Sequence, residues 1–164
     1  RAASPVAILP AMTLMTWGRM DGLANRVQGL MLTEGYQPGR PHWQVTDQGI
    51  MRFGLRLDEE RASGYGSTVL FTASDAGVWT CLATVYNGNT QSVDHYRDGK
   101  LINSHALDEA KTLQLGRADL GNWTRAEMAD HPVRNFNGRM DEFIIWSAAL
   151  TDAEIAEIYE VGRR

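Results

Sequence analysis

One cysteine in 164 residues leaves no internal disulfide to hold the chain together. That residue, Cys81, lies inside an apolar strand pattern, which predicts a buried and chemically inert thiol. No apolar stretch approaches the roughly 20 residues that cross a bilayer, so this segment is not expected to insert into a membrane. The 16 lysines and arginines form no basic run and the formal net charge is −4, which argues against nucleic acid as a partner. No G-x-S-x-G, H-E-x-x-H, phosphate-loop or C-x-x-C motif occurs. The four histidines, His42, His95, His105 and His131, are scattered without metal-ligand spacing. Retaining glycosidases need two carboxylates about 5 Å apart, often as E-x-D-x-E on one strand face, and no such spacing is found. Asp141 and Glu142 are adjacent, so a regular strand would send them to opposite faces. Asp58-Glu59-Glu60 reads as a solvated charge run. These absences point away from an enzyme and toward a binding module.

The pattern that is present consists of short strands and turns, with no long helix before residue 151. Strands are expected at Leu14 to Met20, Arg26 to Thr33, Trp43 to Val45 and Ile50 to Leu57. In the last of these Met51, Phe53, Leu55 and Leu57 alternate with Arg52, Gly54 and Arg56, giving one dry and one wet face. Asp58 to Gly66 reads as a charged loop, followed by strands at Thr68 to Ala73 and Trp79 to Tyr86. Asp98-Gly99 suits a type I′ turn between Val93–Arg97 and Lys100–Asn103. A strand at Thr112 to Arg117 precedes the longest unpatterned segment, Ala118 to Asn135, which holds Trp123, His131 and Pro132. With no internal repeat, low-complexity tract or linker, residues 1–164 read as one domain, long enough for a sizeable core. Because it begins at Arg1 rather than Met, the segment is expected to come from a larger protein, and a missing signal peptide decides nothing.

The C-terminal run F-N-G-R-M-D-E-F-I-I-W-S-A-A-L-T-D-A-E-I, from Phe136 to Ile155, reads as a strand, a turn and a capped helix. Met140, Phe143, Ile144 and Ile145 load both faces of the strand, as a position inside a sandwich requires. Thr151 and Glu154 form a capping box, and Gly162 is expected to stop the helix. This block closely resembles the C-terminal signature of laminin G-like domains of the concanavalin A-like lectin superfamily. L-M-T-W-G-R (Leu14–Arg19), W-T-C-L-A-T-V-Y (Trp79–Tyr86), Y-R-D-G-K-L (Tyr96–Leu101) and L-Q-L-G (Leu113–Gly116) resemble four further blocks of that family, in the same order. The H-W-Q-V-T-D-Q-G run from His42 to Gly49 resembles a bacterial subgroup attached to FecR-type anti-sigma regulators or other cell-surface proteins.

The resemblance implies an all-β, two-sheet antiparallel β-sandwich, a concanavalin A-like jelly roll with one short C-terminal helix. It also implies a non-catalytic module that recognises carbohydrate or glycoprotein at a concave face or rim loop, in a periplasmic, extracellular or cell-surface setting. A protein-interaction or spacer domain of a membrane-bound regulator without sugar binding is the alternative, and a glycoside hydrolase or lyase ranks third. Family relatives carry apolar residues where His95 and Arg97 stand, so that face is expected to be open to solvent or a partner, or near a sheet edge. Relatives also have a further strand or two before the Trp17 strand, for which residues 1–11 supply one short candidate.

Sugar recognition needs flat aromatic faces beside polar side chains, which nominates His42 with Trp43, Tyr65, and Trp123 with Asn122. Trp43 alternates with Val45 and is also compatible with the core, while Trp17, Trp79 and Trp146 match the family's core positions. Many laminin G-like domains bind one calcium ion through oxygen ligands. The resemblance makes Asp119 and Asp141 the candidates for it, although Asp141, alternating with Phe143 and Ile145, is expected to face the core as a hydrogen-bonding group.

Overall fold

In a computed structural model, residues 6–123 and 134–163 are described. His131 and Pro132, singled out in the sequence, lie outside the described residues. The strands run β1 Ala7–Leu9, β2 Ala11–Met20, β3 Gln28–Thr33, β4 Pro41–Val45, β5 Ile50–Arg56 and β6 Ala62–Val69. They continue as β7 Trp79–Asn87, β8 Ser92–Arg97, β9 Lys100–Ala106, β10 Leu113–Leu115, β11 Ala118–Leu120 and β12 Gly138–Trp146, before helix α1 at Asp152–Gly162. A front sheet has the order β11-β3-β4-β5-β6 and a back sheet the order β12-β2-β7-β8-β9, with β1 and β10 forming a separate pair. Neighbouring strands are antiparallel throughout. The expected two-sheet antiparallel sandwich with one C-terminal helix is therefore the observed architecture.

Period-2 patterning accounts for the sheet interface. Met51, Phe53 and Leu55 of β5 are fully buried, and Val45 and Trp43 of β4 oppose Met51 and Phe53 in register. These residues meet Met12, Leu14, Leu82, Tyr86 and Val93 of the back sheet in one continuous apolar cluster. The Asp98-Gly99 turn has φ of +51° and +75°, matching the type I′ expectation.

Strand β6 takes the second half of the loop expected over Asp58–Gly66 and ends at Val69, so the strand expected over Thr68–Ala73 is only begun. Its Tyr65 and Ser67 point inward, but Gly64 and Gly66 occupy the outward positions, so half of its alternation carries no side chain to read. Strand β12 is an edge strand of the back sheet rather than an interior one, and Ile144 and Ile145 are each 39% exposed.

A second apolar cluster lies on the outer side of the back sheet, where α1 covers Met15, Cys81, Ala83, Val85 and Tyr96 with Ile155. Burial pushes the Cys81 thiol up to about 12, with the charges of Asp98 and Glu142 adding to the effect, in keeping with an inert thiol. The helix is held at its start by the expected capping box: Thr151 Oγ1 accepts from the Glu154 amide at 3.3 Å, and Glu154 Oε2 accepts from the Thr151 amide at 2.8 Å. Tyr96 also donates to Asp152 Oδ1 at 2.7 Å, tying β8 to the first turn. Thr151→Ala should lower stability by about 1 kcal/mol, read as a shift of the urea midpoint with an unchanged slope. Gly162 does not act as the left-handed stop expected of it. It is the last helical residue, and the cap is Arg163 at φ −68°. Its lack of a side chain serves clearance instead, since a Cβ there would stand 3.2 Å from Trp17 Nε1.

His95 and Arg97 lie on an interior strand rather than at an edge; His95 faces the space between the sheets, whereas Arg97 is half-buried at its margin and stays partly open to solvent. His95 is fully buried on β8, an interior strand. Its Nε2–H donates to the Tyr65 carbonyl at 2.9 Å, which leaves Nδ1 to accept from the Thr84 hydroxyl at 2.9 Å. Thr84 in turn accepts from Trp43 Nε1 at 2.9 Å, so one neutral chain of hydrogen bonds crosses the core. Arg97 donates to the Leu70 carbonyl, pairs with Asp75 at 2.7 Å and stands 5.8 Å from the Phe71 ring centroid. Both polar side chains are accommodated because each finds hydrogen-bond partners, His95 in the core and Arg97 at its margin.

Candidate functional site

The outward face of the front sheet is assembled from the wet side of its alternation. In register, His42 of β4 opposes Gly54 of β5, Gln44 opposes Arg52, and Gly54 and Arg52 continue across to Gly64 and Gly66 of β6. Polar and cationic side chains thus stand on β4 and β5, and beside them lies a stretch almost without side chains. A Cβ on Gly54 would meet Tyr36 Oη at 3.1 Å, and one on Gly64 would meet Arg52 Cδ at 3.2 Å, so the glycines keep this floor low.

Two loops complete the site. The β3–β4 connection turns through Gly35 and Tyr36 at φ +88° and +41°. A tyrosine in left-handed geometry costs on the order of 1 kcal/mol and here sets its ring 4.1 Å from the His42 ring centroid, at 34°. Beyond β11, Trp123 approaches His42 edge-on at 5.1 Å. Arg134 stands 4.6 Å above the Trp123 ring and donates to Gln44 Oε1 at 3.2 Å. Tyr36, His42, Gln44, Arg52, Gly54, Ala62, Ser63, Gly64, Trp123 and Arg134 enclose a cleft of about 240 Å³.

The electrostatics of this cleft are one-sided. Burial raises the Tyr36 phenol while the charges of Arg52, Arg56 and Arg134 oppose that rise. Burial lowers the Arg134 guanidinium, and the like charge of Arg52 lowers it further. No Asp or Glu is among the described residues lining the cleft.

Of the ligand residues expected from sequence, His42 and Trp123 come together here. His42 is buried and anchored through Nε2 to the Thr33 carbonyl at 3.0 Å, so it is a wall rather than a mobile contact. Asn122 does not line the cleft; its Oδ1 accepts from the Trp123 amide at 2.7 Å, shaping the loop that presents the indole. Trp43 is a correction. It faces inward, is fully buried, and cannot touch a ligand, because register places it opposite Phe53 on the dry face. Tyr65 is a second correction: 5% exposed on the inner face of β6, it accepts from the Asp108 amide at 3.2 Å.

A second cleft lies on the opposite side of the molecule, between Trp17, Trp79, Asp141, Glu142 and Gly162. Sequence expectation put Trp17 and Trp79 in the core and Asp141 and Glu142 on opposite faces. Instead, Trp17 is half-buried and stacks on Tyr159 at 5.6 Å, and Trp79 is 43% exposed. A β-bulge between Asp141 and Ile144 sets two residues, Glu142 and Phe143, against Thr16, with Glu142 at φ +49°. Asp141 stays exposed, facing out beside its partner Trp17, and both carboxylates line the same cleft.

A laminin G family model of the concanavalin A-like lectin/glucanases superfamily matches residues 3–156. The chain belongs to that superfamily. No curated protein matches the sequence. Among solved structures, this concanavalin A-like domain is similar to the carbohydrate-binding module CBM40 of a Ruminococcus gnavus IT-sialidase bound to α2,3-sialyllactose. The identity is 19%, the TM-score 0.69, and 92% of this chain and 83% of that one are covered. It is also similar to the native heptameric SAP-like pentraxin of Limulus polyphemus, at 13% identity and TM-score 0.67, covering 97% and 77%. A third is botulinum neurotoxin type C, whose cell entry depends on interaction with two ganglioside molecules. There the identity is 12% and the TM-score 0.66, covering 93% of this chain and 36% of that one. At these identities the likeness establishes the fold.

The calcium ion implied for such domains finds a thin donor set at the residues expected to hold it. Asp119 is on β11 at the edge of the front sheet and Asp141 on β12 at the edge of the back sheet. Asp141 Oδ1 already accepts from the Glu142 amide at 2.9 Å. Among the described residues no three His, Cys, Asp or Glu side chains converge, whereas calcium takes about six to eight oxygens.

Sequence reasoning missed Tyr36, Gln44, Arg52 and Arg134. Arg52 and Gly54 were legible as the wet face of β5, and the Gly35-Tyr36 step marks an aromatic on a turn. Arg134 gave no local signal, because only tertiary structure brings it over Trp123.

Proposed function

We propose that this domain is a non-catalytic carbohydrate-recognition module whose site is the cleft on the outward face of the front sheet. The observation that carries this reading is the convergence of the aromatic rings of Tyr36, His42 and Trp123 with Gln44, Arg52 and Arg134 above a glycine floor. An apolar sugar face needs a flat aromatic surface and its hydroxyls need fixed polar groups, and the cleft offers both in a volume suited to about one sugar residue. The sialyllactose-bound and ganglioside-binding neighbours support the same class of ligand. Paired-carboxylate hydrolysis would need two acids at the bound sugar, and the described lining of this cleft supplies none.

Trp123→Ala should weaken glycan binding at least tenfold, measured by calorimetry against a glycan found on an array, with the melting temperature little changed. Trp79→Ala should leave that affinity intact. The reverse result would move the site to the Trp17–Trp79 cleft. That second reading has its own support in the two indoles beside Asp141 and Glu142, and hydrolysis lost on Asp141→Asn would make it catalytic. Repeating the titration in calcium and in EDTA tests the proposed metal role of Asp119 and Asp141; equal affinities would remove it.

Its place in an extracellular or cell-surface protein is part of the proposal, and no helix among the described residues is long and apolar enough to cross a membrane. Attachment to a FecR-type regulator or another bacterial envelope protein is its finest element, and the full-length gene product would decide it.

A further inference from the structure

We infer that the cleft selects an anionic sugar residue, one carrying a carboxylate, with Arg52 and Arg134 as its charged contacts; this rests on the carbohydrate reading of the same site.

The chain as a whole is acidic, at −4, yet the described lining of this cleft contains two arginines and no acid. Several arginines find carboxylates, as Arg19 does with Asp21, Arg61 with Asp58 and Glu109, Arg97 with Asp75 and Arg117 with Glu34, while Arg26, Arg40, Arg56 and Arg139 pair with none of a described residue; what sets Arg52 and Arg134 apart is that they share one cleft. Arg52 and Arg134 have no carboxylate of a described residue within ion-pair distance. Arg134 is half-buried, and its guanidinium meets an amide oxygen and an indole face, neither of which carries a counter-charge. Holding two like charges beside each other in a partly dry cleft is unfavourable unless an anion joins them.

A guanidinium presents parallel N–H donors that match the two oxygens of a carboxylate. The glycine floor leaves the space between Tyr36 and Arg52 open, where any larger residue at position 54 or 64 would intrude. A single sugar ring fits there with its apolar side toward Trp123 or Tyr36 and its anionic group toward the arginines. The front-sheet strands supply Arg52 and the glycines, so that part of the site is set before any ligand arrives.

The test is a set of matched pairs titrated calorimetrically against the intact domain: sialyllactose with lactose, oligogalacturonate with its methyl ester, and a sulfated galactoside with its unsulfated parent. The acid of each carboxylate pair should bind at least tenfold more tightly than its neutral partner, with the gap narrowing between low and high salt. Arg52→Gln should remove that preference, lowering the acid's affinity at least tenfold and the neutral sugar's by much less with the melting temperature unchanged, and Arg52→Lys should restore part of the preference. Arg134→Gln should act in the same direction, with an added loss on neutral sugars because it supports the indole. Neutral partners that bind as well as acids would overturn this inference and leave the carbohydrate reading standing. A preference confined to the sulfated ligand would overturn the carboxylate assignment. Binding of no glycan, acidic or neutral, would overturn both.

Discussion

Replacing Trp43 with alanine should lower the unfolding free energy by about 3–5 kcal/mol. Trp43 is the largest side chain with no solvent exposure, packed between the sheets with its ring centroid 6.2 Å from that of Phe143. Truncation removes its burial, leaves a cavity that rigid strands on both sides cannot close, and strips Thr84 of the Nε1 donor at 2.9 Å. Urea or thermal unfolding reads the effect. Trp123→Ala gives the contrasting outcome, near-native stability with lost binding, because its indole is only half-buried at the cleft. A Trp43→Ala variant with native stability and abolished sugar binding would refute its assignment to the core.

Acidification from pH 6.5 to pH 4 should cost up to about 3 kcal/mol of stability through His95 alone. In the folded protein, burial holds the imidazole down to about 4; the carbonyl of Tyr65 works against that shift and the charge of His105 reinforces it. In the unfolded chain it takes a proton near 6.5. The unfolded state therefore binds more protons throughout this window: the contribution is complete above pH 6.5 and is lost progressively as pH falls toward 4. Structurally, a proton on Nδ1 would turn the acceptor for Thr84 into a donor and break the chain from Trp43 to Tyr65. Asp75, held at about 2 by Arg97 and Thr72, loses its contribution only below its ordinary value of 3.8, so the two effects separate on the pH axis. His95→Gln keeps one donor and one acceptor but cannot titrate. It should flatten stability between pH 6.5 and 4, and an unchanged slope would remove His95 as the cause.

Much of the fold was legible locally. Alternation in β5, the Asp98-Gly99 turn and the Thr151–Glu154 capping box each depend on residues close in sequence, so each is written in a short window and found in the structure. The failures share a cause as well. Strand β6 was missed because Gly64 and Gly66 leave its outer face blank. The β12 bulge adds one residue, which no alternation rule anticipates, and so brings Asp141 and Glu142 to one side. Trp17, Trp79 and Trp146, expected in the core, belong to the outer side of the back sheet, while Trp43, which the sequence left open between ligand contact and core, belongs to the core. Periodicity reports which residues share a face, but not which face the second sheet covers and which the helix covers.

The candidate site follows the same division. His42 and Trp123 were recognisable as aromatic or polar side chains suited to a sugar, and Arg52 as part of a wet strand face. Their meeting depends on strand register, on the left-handed turn at Tyr36, and on Arg134 standing over the Trp123 ring from further along the same unpatterned segment.

By itself the sequence determined the strand-and-turn composition, the sandwich class, the capped terminal helix and the absence of a familiar catalytic motif, because neighbouring residues and fixed periods encode these. Tertiary structure alone decided which side of each sheet is dry, which arginines lack a carboxylate and where a cleft opens. Burial and charge compensation arise from contacts between segments that no local window contains.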